Sequence, residues 1–458
     1  RGRRRHVRAA PPDARDVAPV RWYPARPVLA VLLWTCPGSA QTLVERVDLR
    51  GLFETELALE SRDGGLQKWD WILTPEVEVR LSDRVAFTAI GRARIDPVDD
   101  LEPAQPPQDT RAAASRRLFV GDSTDLELRE IYLDATLGFV FVRAGKQQVV
   151  WGQADGLRVL DAVNPLSFRE FILPDFEDRR IPLWTLNAEV PVGPLTAQLL
   201  WIPDLTYDEP PETGAAFAFT TPRLVPRPPP GIPVRVRDPD KPNRIVLDSD
   251  AGVRLSAFLG GWDLTLNYLY HYQDQPVLRR SLDAAGIIVT PEYERTHLAG
   301  GTFSRAFGDL TLRAELAYST HRFFLTESPA DPDGVFHAGE LGTVVGLDYS
   351  LDGDTLLSAQ LFESILTAHP RGAVRDRADT QVTLLVQREL LNDTFVARAL
   401  AIHSTNDGDG LAQLDLAYRL RSSVVLRAGY DFFYGSRNGL FGQFDQADRV
   451  TSGIEVGF

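Results

Sequence analysis

Apolar and polar side chains alternate along the run Trp262 to Tyr272. Trp262, Leu264, Leu266, Tyr268, Tyr270 and Tyr272 share one face, and mostly polar residues share the other. A period of two is the mark of a strand with unlike surroundings on its two sides. The pattern recurs. Leu310, Leu312, Ala314, Leu316 and Tyr318 oppose Thr311, Arg313, Glu315, Ala317 and Ser319; Leu414, Leu416, Tyr418 and Leu420 oppose Gln413, Asp415, Ala417 and Arg419. In Val424 to Tyr434 the even positions are apolar, against Val425, Arg427, Gly429, Asp431 and Phe433. A soluble sandwich alternates too, but its buried face seldom ends in Tyr and Trp while the other face carries paired charges. Strands of roughly 9 to 11 residues or more with this pattern suit a tilted crossing of a bilayer.

Turn spacing predicts how many such strands there are. Short connections fall at Ser82-Asp83, Leu137-Gly138, Val192-Gly193, Gly260-Gly261, Phe307-Gly308, Asp352-Gly353, Asn392-Asp393 and Arg421-Ser422, several with the residues that tight hairpins favour. Longer segments lie between them, at 61–67, 97–124, 151–181, 203–244, 274–290, 325–336, 368–377, 405–410 and 435–444. Eight short turns alternating with nine long loops give an all-β, antiparallel up-and-down transmembrane barrel of about eighteen strands, with both ends on the short-turn side. Sixteen strands are the alternative, because the runs 139–150 and 182–202 are the least regular. The last strand ends on an aromatic, and Thr451, Gly453, Val456 and Phe458 resemble the signal by which the outer-membrane assembly machinery recognises a barrel.

Near the other end, Val28 to Leu33 form a short apolar core behind Arg21 and Arg26 and ahead of Pro37-Gly38-Ser39-Ala40. This predicts a secretory signal cut after Ala40, too short to span a bilayer. Residues 1–40 are then removed, and 41–458 form one barrel domain. That remainder has 41 basic and 61 acidic residues, a net charge of −20, and no cysteine, since Cys36 leaves with the signal. Disulfides, thiolate metal sites and cysteine nucleophiles are excluded for it, and so strongly acidic a chain is a poor nucleic-acid binder. No cofactor or metal site is expected.

Two loops are rich in proline. Residues 203–244 carry Pro210-Pro211, Pro226, Pro228-Pro229-Pro230, Pro233 and Pro239 among others, and are expected to form an extended external loop without regular structure. Residues 97–124 are acidic around Asp96, Asp99, Asp100 and Glu102, where carboxylates beside lipopolysaccharide can share divalent ions.

The segment 145–184 is different. Alternation gives way to short helix-like turns ended by Pro165 and Pro174, with both charge signs beside aromatic residues. Residues 151–181 are expected to fold into the lumen, because Leu157, Val159, Leu160, Phe168, Phe171 and Phe176 need a surface to pack against. The side chains expected at the constriction are Arg158, Asp161, Asn164, Arg169, Glu170, Asp175, Glu177, Asp178, Arg179 and Arg180. Opposed charges there set up a transverse field that selects solutes. The lumen is expected to be wet and of mixed charge, lined by Arg313, Glu315, Asp415, Arg419, Arg427, Asp431 and Glu455.

The run Gly145-Lys146-Gln147 through Trp151-Gly152, Leu157-Arg158, Asp161, Asn164-Pro165, Pro174-Asp175-Phe176-Glu177-Asp178 and Arg180-Ile181-Pro182-Leu183-Trp184 resembles the most distinctive block of a proteobacterial outer-membrane family, catalogued as domain of unknown function 1302. The resemblance is specific over 145–204, including Trp201-Ile202-Pro203-Asp204. It implies a porin-like barrel in the Gram-negative outer membrane, surrounded by lipid and lipopolysaccharide. It also implies an efflux-type inner-membrane transporter and a periplasmic partner, hence traffic in hydrophobic or lipid-like compounds. The resemblance supplies no catalytic residues.

These readings point to a channel or conduit for small solutes or lipid-like compounds. The alternatives are a plugged barrel acting as receptor or adhesin and, below that, an outer-membrane hydrolase. His271, His321, His337, His369 and His403 lie near the external strand ends, the height such a hydrolase requires. No Gly-x-Ser-x-Gly elbow accompanies them, and neighbours His403 and Ser404 point to opposite faces of a strand.

Overall fold

A computed structural model describes residues 46–227 and 231–458; the expected signal at 1–40 lies outside them. Eighteen strands, each antiparallel to its neighbours, close into a barrel. In chain order the first nine are β1 Val47–Glu60, β2 Leu66–Ser82, β3 Val85–Ile95, β4 Thr124–Leu137, β5 Val140–Gln147, β6 Leu183–Val192, β7 Leu195–Ile202, β8 Asp250–Leu259 and β9 Trp262–Tyr272. The second nine are β10 Arg295–Phe307, β11 Leu310–Leu325, β12 Val335–Leu351, β13 Thr355–Leu366, β14 Ala378–Leu390, β15 Phe395–Ser404, β16 Asp409–Arg421, β17 Val424–Tyr434 and β18 Arg449–Gly457. The seam is the ladder from Leu52 opposite Gly457 to Glu60 opposite Arg449. Phe458 finishes it by exchanging two backbone hydrogen bonds with Gly51, 2.8 and 2.9 Å long.

All eight short turns and nine long connections lie where the sequence places them. At Gly260-Gly261 both residues have positive φ, 59° and 85°, the geometry a two-residue hairpin needs and glycine adopts without strain. The outward face carries exposed Leu, Val, Phe, Trp and Tyr side chains. Toward the loop end Trp69 meets Trp71 edge-on, and Tyr430, Phe432 and Tyr434 stack in a row. Toward the turn end Trp262 packs against Phe303 and Phe307. These are the two aromatic girdles that an apolar belt requires.

Three expectations about the loops are corrected. The Pro-rich connection is not uniformly irregular: Val234–Val236, a proline-free stretch, forms a strand parallel to Ile287–Val289. Its partner belongs to a hairpin, Val277–Asp283 with Gly286–Glu292, inside the stretch expected to be loop. The first part of the Pro-rich connection turns inward and buries Tyr207 and Phe217. Finally, the inward segment contains one helical turn, Phe176–Arg179, which follows Pro174 instead of being stopped by it. Proline lacks the N–H a helix interior needs, and just ahead of a helix that lack costs nothing.

Candidate functional site: a charged segment folded across the lumen

The inward faces of β1–β4 and β18 present charges in sequence patterns such as Lys68-Trp69-Asp70-Trp71, where tryptophan points to lipid and the charges point in. Residues 148–182, between β5 and β6, enter the barrel and meet these charges. Glu170 lies 2.8 Å from the Lys68 amine on β2 and 2.8 Å from the Arg449 guanidinium on β18. Arg169 reaches Asp70 at 2.9 Å, Asp96 at 2.6 Å and Glu102 at 3.1 Å. Glu102 joins this group to a second one, through Arg94 and Arg117. Arg117 and Arg111 both hold Glu209, at 2.9 and 3.1 Å, and Arg111 also reaches Glu127 on β4 at 2.9 Å. With Glu56, Arg92, Asp125, Arg129, Lys146 and Asp431, nine basic and nine acidic side chains form one connected, charge-balanced cluster among the described residues.

Burial of this many charges is offset only if each stays paired, so the cluster is strong evidence for one fixed loop position and weak evidence for net stability. Burial alone would raise the Glu170 carboxyl, but Lys68, Arg449 and Arg169 outweigh it and hold it far below the usual range. Arg94, Arg117 and Arg169 do the same for Glu102, and Arg111 and Arg117 for Glu209. A depressed carboxyl contributes stability that is complete above its unfolded pKa, near 4.3, and is lost as pH falls through the folded value. The hold of Glu170, Glu102 and Glu209 is therefore expected to last from neutral pH down to about 4.5 and to be lost only in stronger acid. Limited proteolysis at stepped pH checks this; cleavage within 155–180 already at pH 6 would contradict it.

On the opposite wall the segment packs by shape. Trp151 is buried against Gly252 of β8, where a Cβ would come within 2.8 Å of the indole. Leu160 sits over Gly300 of β10. The Leu160 amide donates to Glu315 at 3.1 Å, and Asp155 pairs with Arg313. Phe171 joins Phe217, Phe433, Phe441 and Phe444 in a cluster that also holds Leu400, Ile402 and Leu411. The lumen is thus not evenly wet, as expected from sequence. Its loop half has an apolar patch which the infolded chain covers, because Leu400 and Ile402 on β15, Leu411 on β16 and Phe433 on β17 point inward near the mouth.

The expected constriction residues divide into three groups. Arg169 and Glu170 bind the wall. Asp161, Asn164, Arg179, Arg180 and Arg158 are engaged mainly within the loops: Asp161 accepts from Arg180 at 2.7 Å, and Asn164 bridges Val149 and Ile181 at 2.7 and 2.9 Å. Arg179 donates to the Pro174 carbonyl and stacks on Phe176; Arg158 donates to the Asn164 carbonyl and lies 3.5 Å from Asp208. Asp175 and Asp178 are exposed, and Glu177 is half-buried. Asp175 lies within electrostatic reach of Asp415 on β16 and Arg427 on β17.

Of the expected lining, Arg313 and Glu315 face inward but hold the segment, and Asp431 belongs to the ionic cluster through Arg449. Arg427 pairs with Glu455, and Asp415 with Arg398 at 3.1 Å. The carboxylates Asp96 and Glu102 are taken by arginines and do not present a free divalent-ion cluster. No group of three or more metal-ligating side chains occurs among the described residues. His297 and His403 hydrogen-bond Tyr hydroxyls, and His369 bonds a backbone carbonyl.

An eighteen-strand antiparallel barrel with an apolar belt, an ionic interior and infolded loops is a porin-like, outer-membrane type of architecture. The family described as Protein of unknown function (DUF1302) matches residues 122–330, which include the block 145–204, and the barrel fits a porin-like family of this kind. None of the curated proteins matches. Among solved structures, OccAB3 of Acinetobacter baumannii is 10% identical with a TM-score of 0.49, covering 90% of this chain and 98% of its own. OpdK of Pseudomonas aeruginosa gives the same identity, TM-score and coverage. An OmpT loop-deletion mutant from Vibrio cholerae is 13% identical with a TM-score of 0.41, covering 90% and 99%.

Proposed function

We propose that the protein is an outer-membrane channel whose conducting path runs past the infolded segment, along the charges on the turn side of β16 and β17. The observation that carries this reading is the exposure of Asp175 and Asp178 on the segment, with Asp175 within electrostatic reach of Asp415 on β16 and Arg427 on β17. Acidic groups on one side and arginines on the other orient a dipolar or charged solute as it passes. The wall charges near the turns, Arg398, Asp415, Arg427 and Glu455, pair with one another. Small polar or ionic solutes fit such a path. Lipid-like cargo, and coupling to an efflux-type transporter through a periplasmic partner, are the family-based part of the proposal. They need an apolar route that this path does not supply.

Single-channel recording of the purified protein in planar bilayers tests the reading. Stable ohmic steps are expected, and Asp175→Asn with Asp178→Asn is expected to shift the reversal potential toward anion preference. A folded, heat-modifiable barrel that inserts and never conducts would overturn the channel and favour a receptor.

A further inference from the structure

The barrel wall is not equally high all round. β5 and β7 have eight residues each, and the ladders β5–β6 and β6–β7 hold seven residue pairs; β11 and β12 have sixteen and seventeen residues. Seven pairs at about 3.3 Å each, tilted by about 40°, rise roughly 18 Å, short of an apolar belt of about 25 Å. Something other than strand must meet lipid above β5 to β7.

Two loops sit there. In the first, Leu118–Phe119 pair with Asp125 and Leu126, along the stretch of β4 above its last pairing with β5. Ala114 accepts a hydrogen bond from the Trp184 indole on β6. In the second, Ser249 accepts a 2.9 Å bond from the Trp201 indole on β7. Lys241 ties the two together by donating to the Arg111 carbonyl at 3.2 Å. Both loops turn apolar residues outward. Ile245, Val246 and Leu247 are 63%, 71% and 72% exposed, and Leu118 and Val120 are 62% and 56% exposed. The ionic side chains Arg111 and Arg117 of the first loop point the other way, into the buried cluster. Arg116 stays exposed beside the apolar tips, and so does Arg244, which pairs with Asp248 at 2.9 Å.

We propose that Ile245-Val246-Leu247, with Leu118 and Val120, form a lipid-engaged patch that completes the belt on the low side of the wall. The apolar side chains enter the acyl region of the outer leaflet, while Arg116 meets headgroup phosphates and the Arg244–Asp248 pair lies at the headgroup level. Continuity with the lipid-facing Trp184 and Trp201 selects lipid over a second protein as the occupant. An apolar patch with polar and cationic groups at its edge matches the boundary between acyl chains and headgroups. The inference rests on the membrane reading of the barrel.

The test uses Val246→Cys in a Cys36→Ser background, labelled with an environment-sensitive NBD dye and reconstituted into phosphatidylcholine vesicles containing doxyl-labelled lipid. A belt label at Leu73→Cys and a rim label at Arg437→Cys are the references. Quenching of the Val246 dye by doxyl lipid at least half as strong as at position 73, with protection from aqueous iodide, is expected. A Val246 dye that behaves like position 437, quenched by iodide alone, overturns the patch. Disulfide-linked dimers of unlabelled Val246→Cys at low protein-to-lipid ratio overturn it in favour of a contact between copies. Failure of the position 73 label to be quenched would instead reject the membrane reading itself. Leu118→Cys gives the same readout from the other loop if Val246→Cys does not fold.

Discussion

Excision of residues 155–180 is expected to raise single-channel conductance several-fold and to lower ion selectivity, with the barrel still folded. The excised stretch holds both wall-binding charges, Arg169 and Glu170, the helical turn, and Leu157, Phe168, Phe171, Ile172 and Leu173 of the apolar side chains that cover the β14 to β17 patch. None of the eighteen barrel strands is lost, because the stretch lies wholly in the connection from β5 to β6. An unobstructed barrel of this strand number leaves an aqueous channel. Conductance recording with matched circular dichroism reads the result; a folded barrel of unchanged conductance would place the ion path away from this segment.

Arg169→Ala is expected to unseat the segment without removing it. Its guanidinium touches Asp70, Asp96, Glu102 and Glu170, and no other cation in the cluster reaches all four. Removing one partner from a buried ionic group typically costs about 3–5 kcal/mol, because the charges left behind remain desolvated. The expected readouts are flickering between two conductance levels and protease cleavage inside 155–180. Arg169→Lys restores part of the quiet state, since a lysine keeps the charge and loses the two-pronged contact with Asp70. Quiet single-level recordings from Arg169→Ala would show that the aromatic cluster alone holds the segment.

How much of this was legible in the sequence follows from the range of the interactions involved. The strand count and every tight turn could be read because alternation and turn chemistry act within a few residues. The infolding of 151–181 could be read because apolar side chains outnumbered any surface that a loop offers by itself. Glu170 could not be assigned to Lys68 and Arg449, since a carboxylate carries no mark of partners about a hundred positions before it and nearly three hundred after it. Arg111, Arg117 and Glu209 were missed for the same reason, although the Lys68-Trp69-Asp70-Trp71 pattern already pointed two charges inward. The inward turn of Phe217 was hidden by surrounding prolines, which forbid regular structure but do not forbid burial. Asp161, Asn164 and Arg180 looked like constriction groups and are instead stitches within the loop.

Glu170 bridges β2 and β18, which stand on either side of the seam strand β1. Its two cations come within reach of one carboxylate only after the ring has sealed. Seating of the segment is therefore a late event in maturation, and it reports on the one before it. A barrel caught with its seam ajar has no socket for Glu170 and leaves residues 155–180 dangling where proteases can reach them. The ionic contact that fixes the segment inside the barrel is thereby open only to a closed ring.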